Sequence, residues 1–452
     1  MDKNNKGQMH IIAQLSAGQG LEPGGWRWPG EDKAAFMNED VFIKGAQLAE
    51  KGKLDGFFLV DVPAISDDIA KTPQGSSLDP IVLMALMAKA TERVGLISTM
   101  STSINEPFSI ARTMRTLDLV SKGRMGWNVV TTGNPRALLN YFAGTPEHGE
   151  KHGRAREVWE AVLRLWGSWP EGALKLDVES GVFADDKLIH PINFQGEYVT
   201  SRGPINLPPS AQGMPVVFTA GGGEYGYDFA ATKADAMYGN PPTLEYAVAF
   251  WQQLSASIKQ AGRNPDDFTI FNGIGVSIAS SEKEALERRV ALDELGEPAS
   301  RQQYLSHMLS IPVTGLDIDA PIPDHLLKLA RPNRRDHRSQ YAYDLAMKGF
   351  TIREVLAHGP INYHPVFLGT PESIADKLQQ WFEAGVGKGF NIIGDSGLSS
   401  LADFVDQVVP ILQKRGLLRT EYTGSTLRNH LGLPYRNGFA EFEAKAPEAT
   451  IK

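Results

Sequence analysis

The chain has no cysteine among its 452 residues, which excludes disulfides, thiolate catalysis, iron–sulfur clusters and thiolate-ligated zinc together. Any redox chemistry must therefore run on a bound organic cofactor. No apolar run approaches the roughly 20 residues of a membrane span, and the start, Met1 to Gln8, is polar. A cytoplasmic protein with no membrane partner is expected. Basic residues are not in excess: 45 Lys and Arg stand against 53 Asp and Glu, a formal charge of −8. No stretch concentrates them among aromatics as nucleic-acid binding requires, so nucleic acid is not an expected partner.

What is present is apolar mass in a regular alternation. With 42% hydrophobic residues the chain can bury a large core, and a barrel with insertions exceeds about 400 residues as one domain without strain. The run His10 to Leu15, ended by Ser16-Ala17-Gly18, reads as a buried first strand. Asp40 to Lys51 carries apolar residues at helical spacing, stops at Gly52 and gives way to the strand Phe57 to Asp61. Asp79 with Pro80 starts a helix that precedes the strand Val94 to Thr99. Pro107 to Ser121 reads as helix, and Met125 to Thr131 as the fourth strand. After an amphipathic helix over 153–166 the chain makes an excursion, and strands resume at Pro215 to Ala220, Ala236 to Gly239 and Phe268 to Phe271. A charged insertion over 281–364 follows. A capped helix over 370–384 then leads to the strand Gly389 to Gly394. Eight such steps imply an α/β fold of the (β/α)₈ TIM-barrel type. We expect one domain over 1–452, with insertions at about 170–212 and 281–364 and a C-terminal extension over 416–452. Its tail, Glu421 to Pro434, is expected to be packed, against a neighbouring subunit.

In such barrels chemistry sits at the C-terminal strand ends, which makes Asp61, Thr102, Asn128 and the Gly221 cluster the first suspects. On position alone Asp61 is equally a ligand contact or a loop cap. Gly221-Gly222-Gly223-Glu224-Tyr225-Gly226 formally fits G-x-G-x-x-G, but the next strand ends at Tyr238-Gly239-Asn240 without the acid a dinucleotide fold requires. Glycines at a helix start still suit a single phosphate, with a plain turn as the alternative. His148 and His152 stand four apart, on one helical face. With no third ligand apparent, no metal is expected, and ligand hydrogen bonding or a surface position remains. His307, His337, His358 and His364 lie in or beside the insertion, where surface roles outweigh catalytic ones. Most tryptophans, Trp127 and Trp166 among them, read as core or rim residues.

Several stretches taken together resemble one group of the luciferase-like flavin enzymes, that of nitrilotriacetate and dibenzothiophene-sulfone monooxygenases. They are Trp26-Arg27; Leu117 to Arg124 running into Trp127-Asn128-Val129-Val130-Thr131-Thr132; Leu165-Trp166-Gly167-Ser168-Trp169; Arg202-Gly203-Pro204; Ser210 to Gly213; Gly369-Thr370-Pro371; and the ending from Asp403 through Arg419-Thr420-Glu421-Tyr422 to Thr426 to Leu433. The resemblance implies a bacterial luciferase-like barrel that takes reduced FMN from a separate NAD(P)H:flavin reductase. It implies reaction with O2 through a flavin hydroperoxide and oxygenation of a small organosulfur, aminocarboxylate or aromatic compound. A homo-oligomer, dimer or tetramer, is implied as well. Carried over by position, the cofactor contacts are Asp61, Thr102, Asn128, His148, His152, Gly221, Gly222 and Gly223, and Trp26, Phe58 and Tyr238 line the substrate pocket, with Phe57 beside them; no catalytic residue is assigned. Two departures stand out. The family shows Arg-Tyr where this chain has Lys151-His152, and Gln-Ala-Gly-x-Ser where it has Thr219-Ala220-Gly221-Gly222-Gly223, with no hydroxyl. The alternatives are a deazaflavin- or nicotinamide-linked oxidoreductase on the same barrel, or a non-catalytic flavin-binding protein.

Overall fold

The computed structural model describes residues 7–65, 69–73, 77–142, 148–221, 223–296, 298–333 and 336–439. The expected alternation is present. Strands β1 (His10–Gln14), β2 (Gly56–Leu59), β3 (Gly95–Ser101), β4 (Met125–Val130), β5 (Val216–Ala220), β6 (Ala236–Gly239), β7 (Thr269–Ile278), β8 (Val366–Gly369) and β9 (Lys388–Gly394) form one sheet. Eight of them close a ring in the order β6-β5-β4-β3-β2-β1-β9-β7, with β6 pairing back onto β7. Every pairing is parallel, for example His10 opposite Gly389 and Ala236 opposite Thr269. Helices α1 (Glu39–Lys51), α2 (Pro80–Ala90), α3 (Pro107–Val120), α4 (His148–Gly167), α5 (Glu224–Thr232), α6 (Leu244–Gln260) and α7 (Pro371–Ala384) follow the strands. Side-chain caps fix several of their starts. Asn38 accepts the Asp40 amide, Asp79 that of Ile81 and Thr370 that of Ser373. Gly385 ends α7 at φ 83, a left-handed conformation that favours glycine.

Two strands differ from the expectation. β7 runs for 10 residues instead of stopping at Phe271, and β8 was not foreseen. Their lengths are linked. Ala236 to Gly239 of β6 pair with residues up to Asn272, and beyond them β8 takes the same edge of β7, Val366 to Gly369 pairing with Gly275 to Ile278. Above the barrel mouth β7 thus exchanges one neighbour for another. Between β7 and β8 the helices Glu282–Glu294, Pro298–Leu309, Arg338–Met347 and Ile352–Ala357 pack a cluster of their own around Leu305, Leu309, Leu345 and Ile352.

The barrel separates two apolar layers. Outside, Phe57, Trp127 and Trp166 pack between strands and helices, Trp127 and Trp166 edge to face at 5.6 Å. Inside, Ile12, Phe58, Ile97, Phe218 and Phe271 fill the lumen. Phe57 thus faces the helices and not the substrate, since a strand turns successive side chains to opposite faces. The C-terminal tail closes the floor. Leu427, Leu431 and Leu433 join the inner layer, and the Leu427 amide donates to the Gly123 carbonyl at 3.0 Å. Gly95 makes room for this plug, because a Cβ there would lie 2.5 Å from Leu427 Cδ1. Beside it the buried Arg428 pairs with the buried Asp235 at 2.9 Å, and Arg436 reaches the same carboxylate at 2.7 Å. The tail expected against a neighbouring subunit is packed into its own barrel instead, because its leucines complete an apolar lumen that is otherwise open below. Leu427→Ala should lower unfolding free energy by about 2–5 kcal/mol in urea titrations, the range for deleting a buried leucine.

Candidate active site

Two cavities open at the C-terminal strand ends. The larger, of about 1270 Å³, is lined from the ends of β1, β2 and β9 by Gln14, Ser16, Val60, Asp61, Val62 and Ile393, with Phe36, Leu78, Asp79, Arg136, Tyr363 and His364 around them. The second, of about 930 Å³, lies at the ends of β4 and β5 and is lined by Val129, Thr131, His152, Arg156, Gly221, Gly223 and Tyr225.

Asp61 lies two residues beyond β2 in the larger cleft. Burial, with the Asp79 carboxylate as the second cause, pushes its pKa up to about 6, so it changes charge not far below neutral pH. Asn128 sits inside the barrel on β4. Its Nδ2 donates to Thr99 Oγ1 at 2.9 Å, while its buried Oδ1 has no hydrogen-bond partner among the described residues. A buried acceptor left open is the kind of group that a bound ligand completes. Thr102 is fully buried, and its hydroxyl donates to the Val130 carbonyl at 3.0 Å. Its side chain is therefore committed to the scaffold.

The glycine loop leads into α5. Gly221 adopts φ +104, a left-handed value, and a Cβ added at Gly221 or Gly223 would meet nothing within 4 Å. Backbone amides at the helix start thus border open space, which is the arrangement that receives a phosphate. The His152 ring lies 4.9 Å from the Tyr225 ring, and Arg156, which pairs with Asp228 at 3.6 Å, lines the same cavity. The hydroxyl absent from the loop thus has a cation and an imidazole nearby in its place. Gly222 and the His148 side chain lie outside the described residues.

Of the three pocket residues, Phe58 and Tyr238 meet in the lumen, ring centroids 5.6 Å apart. Trp26 does not join them. Its Nε1 donates to the Lys71 carbonyl at 2.9 Å, and it lines a separate cavity of about 450 Å³ with Glu22, Asp293 and Arg301. The loop after β1 is held there by Glu22, whose carboxylate pairs with Arg289 at 2.7 Å.

Four residues of the site were not singled out as such by their sequence positions. Gln14 accepts from Asn391 Nδ2 at 2.7 Å, so β1 and β9 share a polar contact inside the barrel. Arg154 donates to the Thr102 carbonyl at 2.7 Å and pairs with Glu106, which ties α4 to the loop after β3. His364, expected on a surface, is 5% exposed and hydrogen-bonded to Tyr238. The signals were present for the amides, as polar residues inside apolar strands; none marked His364, which depends on β8. Among the described residues no group of acids and histidines is arranged to hold a metal.

Residues 30–388 match the family described as luciferase-like monooxygenase. The N-acetyl-S-(2-succino)cysteine monooxygenase of Bacillus subtilis is 38% identical over 424 residues, 92% of this chain and 95% of that protein. The dibenzothiophene-sulfone monooxygenase of Rhodococcus erythropolis is 37% identical over 439 residues, 94% of this chain and 97% of its own. Among solved structures, the EDTA monooxygenase of Chelativorans sp. BNC1 superposes with a TM-score of 0.80 at 30% identity, covering 95% of this chain and all of that one. With the closed barrel, its cavities at the strand ends and similarity running the length of the chain, the protein belongs to the luciferase-like monooxygenases.

Proposed function

We propose that the chain is the oxygenating component of a two-component system, taking reduced FMN from a separate NAD(P)H:flavin reductase and oxygenating a small organic compound in the larger cleft. The observation that carries this reading is the open glycine cradle at the start of α5, set beside a barrel mouth that holds an uncompleted buried acceptor on Asn128. Gly221 and Gly223 with His152 and Arg156 would hold the phosphate, and Gly222 and His148 are assigned there by resemblance. Asn128 and Asp61 would meet the polar edge of the ring, and Thr102 would contribute shape. When bound, reduced FMN supplies two electrons to dioxygen, of which one oxygen atom goes to the substrate and the other leaves as water.

The remaining work falls to the chain. Phe36, Val60, Val62 and Leu78 make much of the cleft wall apolar, which keeps water from the reacting groups. Asp61 is poised to accept an N–H as carboxylate or to donate as the acid, because its environment brings the two forms close in energy. The substrate class is an organosulfur, aminocarboxylate or aromatic compound. The names of the relatives span succinylated cysteine, a sulfone and EDTA, and one barrel mouth re-lined by a few side chains accommodates such a range.

We take the chain as a cytoplasmic, single barrel domain over 1–452 with excursions at about 170–212 and 281–364 and an extension over 416–452. No helix among the described residues is long and apolar enough to cross a membrane. Self-association is supported by α2, whose outer face leaves Val82 60% and Leu86 41% exposed.

Three outcomes are expected. Anaerobic titration with reduced FMN, followed by ¹⁸O₂ and a panel of sulfur, amine and aromatic compounds, should place one labelled oxygen in a product; hydrogen peroxide alone across the panel would sink the oxygenase reading. Gly221→Ala should weaken FMN by about tenfold, the cost of an L-residue at positive φ, and leave riboflavin within about threefold; equal losses would remove the phosphate from the cradle. Asp61 also makes stability pH-dependent. Its folded pKa of about 6 exceeds the 3.8 of a free aspartate, so the relative stability it confers is complete below pH 3.8 and is lost as pH rises through about 6. Asp61→Asn should therefore melt about 1–2 °C above the parent at pH 8 and level with it at pH 4, the small size reflecting partial solvation.

A further inference from the structure

At the top of the lumen Tyr238 and His364 form a pair that the cofactor assignments leave unused. The Tyr238 hydroxyl lies 2.9 Å from His364 Nε2. β8 delivers the imidazole to this place, since it takes over the edge of β7 just where β6 ends. Gly273 of β7 makes the approach possible, because a Cβ there would stand 2.5 Å from His364 Nδ1 and 2.9 Å from the Tyr238 oxygen. His364 lines the larger cleft in company with Asp61 and Tyr363, and the Tyr238 ring rests on Phe58.

The direction of the hydrogen bond follows from what surrounds it. His364 Nδ1 is buried and has no partner among the described residues. A buried N–H without an acceptor is costlier and rarer than an acceptor without a donor. The ring proton therefore belongs on Nε2, which makes Nε2–H the donor and the phenolic oxygen the acceptor. Asn391 Nδ2 donates to Gln14 at 2.7 Å and Asn391 Oδ1 accepts nothing among the described residues, so the phenolic proton is not spent there. The Tyr238 O–H is left with its hydrogen uncommitted. Burial holds both partners neutral, raising the phenol and pushing the imidazole down to about 3.

We propose that Tyr238 is a catalytic hydrogen-bond donor to the reacting oxygen and that His364 is the positioning residue that turns its proton outward. This rests on the reading of the larger cleft as the oxygenation site. Electron transfer to dioxygen builds negative charge on oxygen, and a desolvated, preoriented donor stabilises that charge at no cost of reorganisation. No proton leaves either residue in this role; the pair contributes one directed dipole.

Two measurements test it. In the protein without flavin, ¹⁵N NMR should find His364 in the Nε2–H form with no titration between pH 5 and 9, although Asp61 in the same cleft titrates near 6. An Nδ1–H form would overturn the proposal, since Tyr238 would then donate to the imidazole and have no proton to offer. In stopped flow, reoxidation of bound reduced FMN by aerated buffer should slow by roughly tenfold or more in Tyr238→Phe and His364→Ala, and stay within about threefold in His364→Gln, which keeps a donor toward the phenol. An unchanged rate in Tyr238→Phe would overturn it as well. Failure to bind reduced FMN would instead sink the cofactor reading, and the tautomer alone would then decide the pair.

Discussion

The short parallel pairing of β6 with β7, from Ala236 opposite Thr269 to Gly239 opposite Asn272, is the constraint on which the rest of the molecule depends. It converts a curved sheet into a ring with no free edge, and a ring has an inside. The strands then carry two apolar layers at once, one against the helices and one against each other. Because the closing contact is only four residues long on β6, the upper half of β7 is released from it. That upper half is free to recruit β8, and the mouth of the barrel is shaped by the exchange.

Polarity inside the ring is graded along its axis. Leucines from the tail and the aromatic layer fill the floor and waist, whereas Gln14, Thr99, Asn128 and Asn391 stand above them with paired amides and two open acceptors, Asn128 Oδ1 and Asn391 Oδ1. Buried amides are tolerated only where their hydrogen bonds are met. The ring of amides is therefore a surface built for a flat polar ligand lying across the mouth. Reduced flavin and oxygen chemistry need the same contrast, polar contacts to hold the ring edge and apolar walls to keep water out.

Much of this was legible in the residues. Asp79 and Thr370 announced helix starts because caps act locally, and all eight barrel strands announced themselves as apolar runs. What escaped had non-local causes. β8 exists only because β6 is short. Phe57 and Phe58 could be assigned to opposite faces only once the register was known. Trp26 follows its loop to a separate cavity because Glu22, four residues earlier, is drawn to Arg289 across 267 positions of chain. His364 looked like a surface histidine because nothing in its neighbours reveals that a glycine on another strand leaves it a seat. The histidine and glycine that depart from the family pattern, His152 and Gly223, line one cavity.

The tail beneath the barrel has a consequence for how the protein is made. Leu427, Leu431 and Leu433 fill the lumen from below, and Arg428 neutralises Asp235 in the turn between α5 and β6. During synthesis the strands emerge in order, at about 5–20 residues per second, and the sheet has all its strands once β9 has left the ribosome. Its floor stays open to water until residue 433 follows. In that interval, some seconds long at those rates, the nascent barrel presents an apolar shaft and an unpaired buried carboxylate, and it is during this interval, more than at any other time, that a chaperone would find something to hold.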